Sequence, residues 1–172
     1  MKKISISILS TLLLFGLPCM LFSQTTLYGL TYGGGQGTGS IIQYTSATNA
    51  LASVFNFPNT PYYPANELVQ AGNGKLYGLT QAGGTSDSGA VYSFDPVTNT
   101  KVDLANFSNA TGGIPVGSMV LAANGKLYGM TYAGGSYGAG TIFTFSTTTN
   151  KIVKLFDFNG TNGASPQGKL IQ

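Results

Sequence analysis

The phrase Lys126-Leu127-Tyr128-Gly129-Met130-Thr131-Tyr132-Ala133-Gly134-Gly135 constrains the fold more than any other stretch, because it is one of three copies. LYGLTYGGG starts at Leu27 and KLYGLTQAGG at Lys75. Leu27, Leu76 and Leu127 are 49 and 51 residues apart, Phe57, Phe107 and Phe158 are 50 and 51 apart, and Pro64, Pro115 and Pro166 are 51 and 51 apart. Gly39, Gly89 and Gly140 keep the same step. A unit recurring with a period near fifty is one supersecondary structure stacked on copies of itself. That length belongs to propeller blades, since helical and leucine-rich solenoid units are shorter.

Each unit reads as four short strands, here a to d. Glu67 to Ala71 and Gly117 to Ala122 are apolar runs bounded by turn residues, as expected of a buried strand a. Asn73-Gly74 and Asn124-Gly125 follow, and Asn-Gly between strand-like runs predicts a hairpin with a type I′ turn. Strand b is Lys75 to Thr80 and Lys126 to Tyr132, with Gly78 and Gly129 inside it marking the close approach of a neighbouring blade or an aromatic ring. A glycine loop (33 to 39, 83 to 89, 134 to 140) leads to strand c, clearest at Thr141 to Phe145. Turn clusters at 95–99 and 146–150 end it. In strand d, Lys151 to Phe158, strict alternation puts Ile152, Lys154, Phe156 and Phe158 on one face and Val153, Leu155 and Asp157 on the other.

The expected fold is all-β, a β-propeller-like array of about three four-stranded antiparallel blades, an incomplete ring or a fragment of a longer array. The units are 24–65, 66–116 and 117–167, with 168–172 starting a further unit or completing the first blade. Three blades are fewer than the roughly four to eight of known propellers, so two chains forming a six-bladed ring is the alternative to a fragment. Strand direction alternates, so the b–c glycine loops and the d-to-a connections fall on one face, where binding residues usually lie.

Residues 1–23 stand apart from the repeats. Met1-Lys2-Lys3 is a basic start, Ile4 to Phe22 is apolar and uncharged, and Ser23 offers a small residue at a cleavage position, the pattern of a secretory signal peptide. Its removal leaves no membrane span and places the chain outside the cell or on its surface. Cys19 leaves with it, so the remainder has no cysteine, histidine or tryptophan. No thiolate metal site, no cysteine nucleophile and no Ser-His-Asp triad is available, and no cofactor is expected. Of 8 lysines, Lys2 and Lys3 also depart, and 6 − 5 acids leaves +1. Scattered lysines without arginine exclude a phosphate-neutralising patch and so nucleic acid.

The Gly-Lys-LYG-[LM]-T-x-x-GG word, the GTIF strand, the Phe-x-Phe ending and the later proline together resemble the GloVer tandem-repeat proteins, bacterial exported proteins named for their choice of C-terminal anchor. The resemblance covers Gln24 to Gln172 and implies a secreted or surface repeat protein, but no particular activity. A more distant similarity is to the kelch blade, which has the diglycine after strand b; the kelch tryptophan is absent.

Candidate chemistry is sparse. Gly33 to Gly39 lacks the following helix or the Gly-Lys-Ser/Thr sequence that a phosphate cradle requires, and reads as a hairpin loop. Asp157 to Gly163 places oxygen atoms as calcium loops do, yet with one carboxylate it reads as an Asn-Gly turn, so no metal site is expected. Glycoside cleavage needs two facing carboxylates, and Asp87 with Glu67 is the plausible pair; no catalytic residue is assigned and the chain is expected not to be an enzyme. The better candidates are aromatics and amides on the loop face: Tyr32, Gln81 and Tyr132 at equivalent positions, Tyr137 in the third loop, Tyr62 and Tyr63 before Pro64, with Asp87 beside them. Tyrosine offers a rigid apolar plate with a hydroxyl, suited to sugars or peptides. The expected function is recognition or adhesion toward polysaccharide or a surface protein, with self-association if three blades are the whole; a polysaccharide-active propeller enzyme and a purely structural envelope repeat are the alternatives.

Overall fold

The computed structural model describes residues 25–33, 38–58 and 63–172. The signal segment and Tyr62 lie outside the described residues. Eleven strands form three antiparallel sheets: β1 (Thr26–Thr31), β2 (Ser40–Thr45) and β3 (Ala50–Asn56) in the first; β4 (Pro64–Gln70), β5 (Leu76–Thr80), β6 (Ala90–Asp95) and β7 (Thr100–Asn106) in the second; β8 (Val120–Leu121), β9 (Leu127–Thr131), β10 (Thr141–Ser146) and β11 (Lys151–Asp157) in the third. Within every sheet, neighbours in sequence are neighbours in space, so each repeat is a meander blade. β4 begins at Pro64, so the first two residues of the second sheet fall within the span 24–65 assigned to the first unit. Among the described residues no helix is long and apolar enough to cross a membrane.

Two details depart from expectation. The Asn-Gly hairpins are not type I′, because only the glycine has positive φ: 79° at Gly74 and 75° at Gly125. Gly74 N–H donates to the Ala71 carbonyl at 3.0 Å and Ala71 N–H to Lys75 at 3.0 Å, which is a three-residue loop with a type I turn and a left-handed glycine. Asn73 and Asn124 instead donate through Nδ2 to the hydroxyls of Tyr77 and Tyr128, both at 2.8 Å. The second departure is in strand d. Phe143 pairs with Lys154 but Ile142 with Phe156, so Leu155 is an extra residue and Phe156 does not share a face with Ile152 and Lys154. The same bulge recurs in β3 and β7. In β3 and β7 it turns two successive apolar residues (Val54-Phe55, Leu104-Ala105) toward the following blade.

The core is divided between the two blade interfaces. One cluster joins Ile41, Phe57, Val54 and Phe55 of the first blade to Leu76, Tyr92 and Phe94 of the second. The other joins Tyr77, Leu79, Val91 and Phe107 to Leu127, Phe143 and Phe145 of the third. At the heart of each, the strand-b glycine faces the strand-c aromatic in register, Gly78 opposite Tyr92 and Gly129 opposite Phe143. The ring lies on the glycine: a Cβ on Gly129 would sit 2.6 Å from Phe143 Cζ. Onto the same ring, edge to face, comes the last phenylalanine of the preceding blade. Phe57 meets Tyr92 at 5.6 Å and 72°, and Phe107 meets Phe143 at 4.9 Å and 76°. Of the two readings of these glycines, the aromatic one holds, with the ring supplied by the same blade.

The face carrying the loops is tied by a second repeating set of contacts. Thr31, Thr80 and Thr131 accept at Oγ1 from the first amide of strand c, each at 3.0 Å. Gly39, Gly89 and Gly140 accept from Phe57, Phe107 and Phe158 at 3.0, 2.9 and 2.9 Å. A Cβ on Gly39, Gly89 or Gly140 would come within 3.2, 2.8 and 3.0 Å of Pro64, Pro115 and Pro166, so glycine and proline keep step. Asp157 anchors the third glycine loop, accepting from Ser136 N at 2.9 Å, from Ser136 Oγ at 3.0 Å and from Lys154 Nζ at 2.8 Å.

Three expectations follow. Gly129→Ala drives a methyl into Phe143 and lowers unfolding free energy by about 1–3 kcal/mol, whereas Gly29→Ala, whose Cβ would meet Ile42 at 3.4 Å, changes it by less than about 1 kcal/mol; urea titration of both variants decides. Tyr92 is fully buried with its hydroxyl unpaired, and burial, with the Asp103 charge adding to it, raises its ionisation far above the ordinary phenol range. Tyr92→Phe, the residue found at position 143, therefore raises the urea midpoint by the equivalent of about 1 kcal/mol, and a fall would show that the hydroxyl is needed. The Lys154 hydrogen bond, then the Ser136 amide, hold the Asp157 carboxyl below its ordinary 3.8. A depressed folded value adds stability above the unfolded pKa and loses it as pH falls through the folded one. Melting temperature measured from neutral pH downward thus falls less below about pH 4 in Asp157→Asn than in wild type; equal acid profiles would refute the assignment.

Candidate functional site

The b–c loops and the d-to-a connections lie together, as alternating strand direction requires. The residue before each proline is the link between adjacent blades. Gln81 N–H donates to the Tyr63 carbonyl at 2.8 Å, and Tyr132 N–H to Ile114 at 3.0 Å; Ile114 N–H in turn donates to Ser88 at 3.0 Å, and Ser165 N–H to Ala139 at 2.8 Å. Each connection is thereby stitched to the glycine loop of the blade before it, the blade after it, or both. Ile114 and Ser165 hold φ at 51° and 49°. For a β-branched residue such as Ile114 this is a strained conformation, sustained only because its amide and carbonyl are both bonded.

On this frame stand the exposed side chains. Tyr32, at the end of β1, and Tyr63, just before β4, stack with ring centroids 5.7 Å apart and planes 15° from parallel. They remain 67% and 40% exposed. Two residues 31 apart in sequence thus form one aromatic plate across the junction of blades one and two. Gln81 joins the plate through its backbone bond to Tyr63 and is half-buried. Tyr132 and Ile114 repeat the juxtaposition at the next junction, both exposed. Tyr137 is exposed at the tip of the third loop, away from any aromatic partner among the described residues. Ile114 is the residue that the sequence reading passed over; its signal was its place before Pro115, equivalent to Tyr63 before Pro64.

The carboxylates are engaged in structure. Asp87 accepts from Gly83 N at 2.7 Å with its own φ at 49°, closing the second glycine loop. Glu67 pairs with Lys169 at 2.9 Å, both half-exposed. Nothing brings Asp87 and Glu67 to a common partner. The Asn-Gly stretch after Asp157 turns its oxygen atoms on itself: Asn159 N–H donates to Asn162 Oδ1 at 2.9 Å and Asn162 N–H to Asn159 Oδ1 at 3.1 Å. With Asp157 held by Lys154 and Ser136, this is the turn expected from the sequence. Among the described residues no group of three or more His, Cys, Asp or Glu is placed to hold a metal ion.

Two solved structures match the chain in part. TolB from Acinetobacter baumannii matches with a TM-score of 0.51 at 14% sequence identity, over 81% of this chain and 32% of TolB. The periplasmic gluconolactonase PpgL from Pseudomonas aeruginosa matches with a TM-score of 0.44 at 15% identity, over 73% of this chain and 36% of PpgL. The chain spans about a third of the length of these proteins. At such identity the TolB likeness speaks to fold alone, and TolB is a propeller: the three sheets are propeller-like blades that do not close into a ring. No curated protein matches the chain in sequence. The Gloeobacter/Verrucomicrobia repeat matches residues 18–172, the whole of the three-blade array, and the chain belongs to that family.

Proposed function

We propose that this repeat scaffold is exported and that its loop face recognises carbohydrate, with Tyr32 and Tyr63 as the contact plate. The observation that carries the reading is the stacked, solvent-exposed pair, Tyr32 directly after β1 and Tyr63 directly before β4. An aromatic plate whose partner ring fixes its orientation meets the apolar face of a sugar with little loss of side-chain freedom. The surround suits a neutral ligand: amides, hydroxyls and glycine amides line the loops, and the carboxylates nearest them are engaged, Asp87 within its own loop and Asp157 from β11 with Ser136 and Lys154. The basic start and apolar run of residues 1–23 support export. Adhesion without catalysis is favoured by the engagement of Asp87 and Glu67 with separate structural partners.

A glycan array probed with the purified chain, followed by titration of the best binder, tests this. Tyr32→Ala and Tyr63→Ala each weaken binding about 2- to 12-fold, the value of an aromatic contact, without shifting the urea midpoint. Absence of any glycan binder, or binding indifferent to both changes, sinks the proposal.

A further inference from the structure

The outward groups of the loop face form a stripe that crosses both blade junctions. Tyr32 stacks on Tyr63, and the Tyr63 carbonyl accepts from Gln81 N–H of the second blade. One repeat further on, Gln81 and Ile114 hold the positions that Tyr32 and Tyr63 hold at the first junction. The Ile114 carbonyl then accepts from Tyr132 N–H of the third blade. The order along the stripe is therefore an aromatic plate, an amide, and a second apolar patch of Ile114 and Tyr132, both exposed.

This order bounds the size of what can lie on it. Stacked sheets are about 10 Å apart, so apolar patches at successive junctions stand further apart than one sugar ring reaches. Each patch is open to solvent, which suits the flat face of a ring within a chain better than the end of a chain, since holding an end calls for an enclosing pocket.

The charges bound its chemistry. Among the described residues, the lysines on this side, Lys154 and Lys169, are paired with Asp157 and Glu67. Lys75 and Lys126 follow the Asn-Gly turns, and Lys101 and Lys151 lie at the start of β7 and β11, all at the opposite end of the blades. Asp87 stands exposed in the second glycine loop, next to the Ser88 carbonyl that accepts from Ile114 N–H. A carboxylate on the ligand would meet like charge there, while the cations on this side are already engaged.

We propose that the loop face takes a linear neutral polysaccharide lengthwise, with one interior ring on the Tyr32 and Tyr63 plate, another on Ile114 and Tyr132, and the Gln81 amide hydrogen-bonding a hydroxyl between them. The inference rests on the reading of Tyr32 and Tyr63 as a carbohydrate plate and adds to it the length, path and charge of the ligand.

Calorimetric titration of the purified full chain with cello-, xylo-, manno- and malto-oligosaccharides, each as disaccharide and hexasaccharide, and with oligogalacturonate, tests this. In the series that binds, the hexasaccharide is held about 2- to 12-fold more tightly than the disaccharide, the worth of one further aromatic contact. Tyr132→Ala returns the hexasaccharide to the disaccharide affinity and leaves the disaccharide unchanged, whereas Tyr32→Ala and Tyr63→Ala weaken both. The urea midpoint is unmoved in Tyr132→Ala, because the bond to Ile114 runs through the main chain. Oligogalacturonate is not bound. Equal affinity for both lengths, or a length gain that survives Tyr132→Ala, overturns the lengthwise path and leaves the single plate standing. Oligogalacturonate held as tightly as a neutral hexasaccharide overturns the assignment of charge. Binding by none of the series overturns the proposal, and the glycan array then decides separately whether the plate takes carbohydrate.

Discussion

Everything in this chain depends on one contact: the aromatic ring of strand c lying on a strand-b glycine and receiving, edge-on, the last phenylalanine of the blade before. A four-stranded blade has two apolar faces and no interior of its own, so its stability must come from its neighbours. Tyr92 and Phe143 are the points at which that debt to the neighbour is met. Full burial of a ring is worth roughly 1.5–3 kcal/mol, and edge-to-face geometry adds about 0.5–1.5 kcal/mol. No disulfide is available to substitute for it, because Cys19 is the one cysteine of the chain. The glycine is required for the opposite reason to the usual one in turns. It supplies no special backbone angle at position 78 or 129; it supplies the absence of a side chain.

The period, the order of strands and the alternating direction were legible in the sequence because each is written three times. Repetition turns a weak local signal into a strong one: Phe57, Phe107 and Phe158 say little singly and define a blade junction together. What repetition could not reveal was local geometry. The turn at Asn73-Gly74 reads as a two-residue hairpin, yet the chain uses Gly72, Asn73 and Gly74. Residue identity alone does not count how many residues the strands contribute to the loop. The bulge at Leu155 was hidden for a similar reason, since alternation of faces assumes an unbroken ladder, and an apolar pair such as Leu155-Phe156 fits either face. Of the site, Tyr32, Tyr63, Gln81 and Tyr132 were legible as loop-face residues, but the stacking of Tyr32 on Tyr63 depends on a contact between blades that only the folded chain creates. Asp87 was legible as a loop carboxylate but not as the clasp of its own loop.

The loop face is stiffer than its glycine content suggests. Glycine-rich segments at 83–89 and 134–140 would be pliant if isolated, because glycine loses the most conformational freedom on ordering. Here they are pinned from three directions: the strand-b threonine, the carbonyl bond to the next phenylalanine, and an acid (Asp87, Asp157) closing the loop from within or from strand d. The strained backbone of Ile114 belongs to the same scheme, since its amide and carbonyl tie two neighbouring blades and the side chain is left to point outward, 41% exposed.

That division between backbone and side chain explains how an array of near-identical blades can present different surfaces. At positions 63 and 114 the backbone bonds to the following blade and at 165 to the third glycine loop, while the side chain is tyrosine, isoleucine and serine. At positions 32, 81 and 132 it is tyrosine, glutamine and tyrosine. Substitution there leaves the framework bonds intact, because none of them passes through those side chains. The framework positions behave oppositely: Thr31, Thr80 and Thr131 bond through Oγ1, and all three units carry threonine. A frame that takes its structural hydrogen bonds from the main chain at its outward positions is free to vary what it shows. Among the described residues, the first junction is where the two variable positions both hold an aromatic, and there a stacked plate arises.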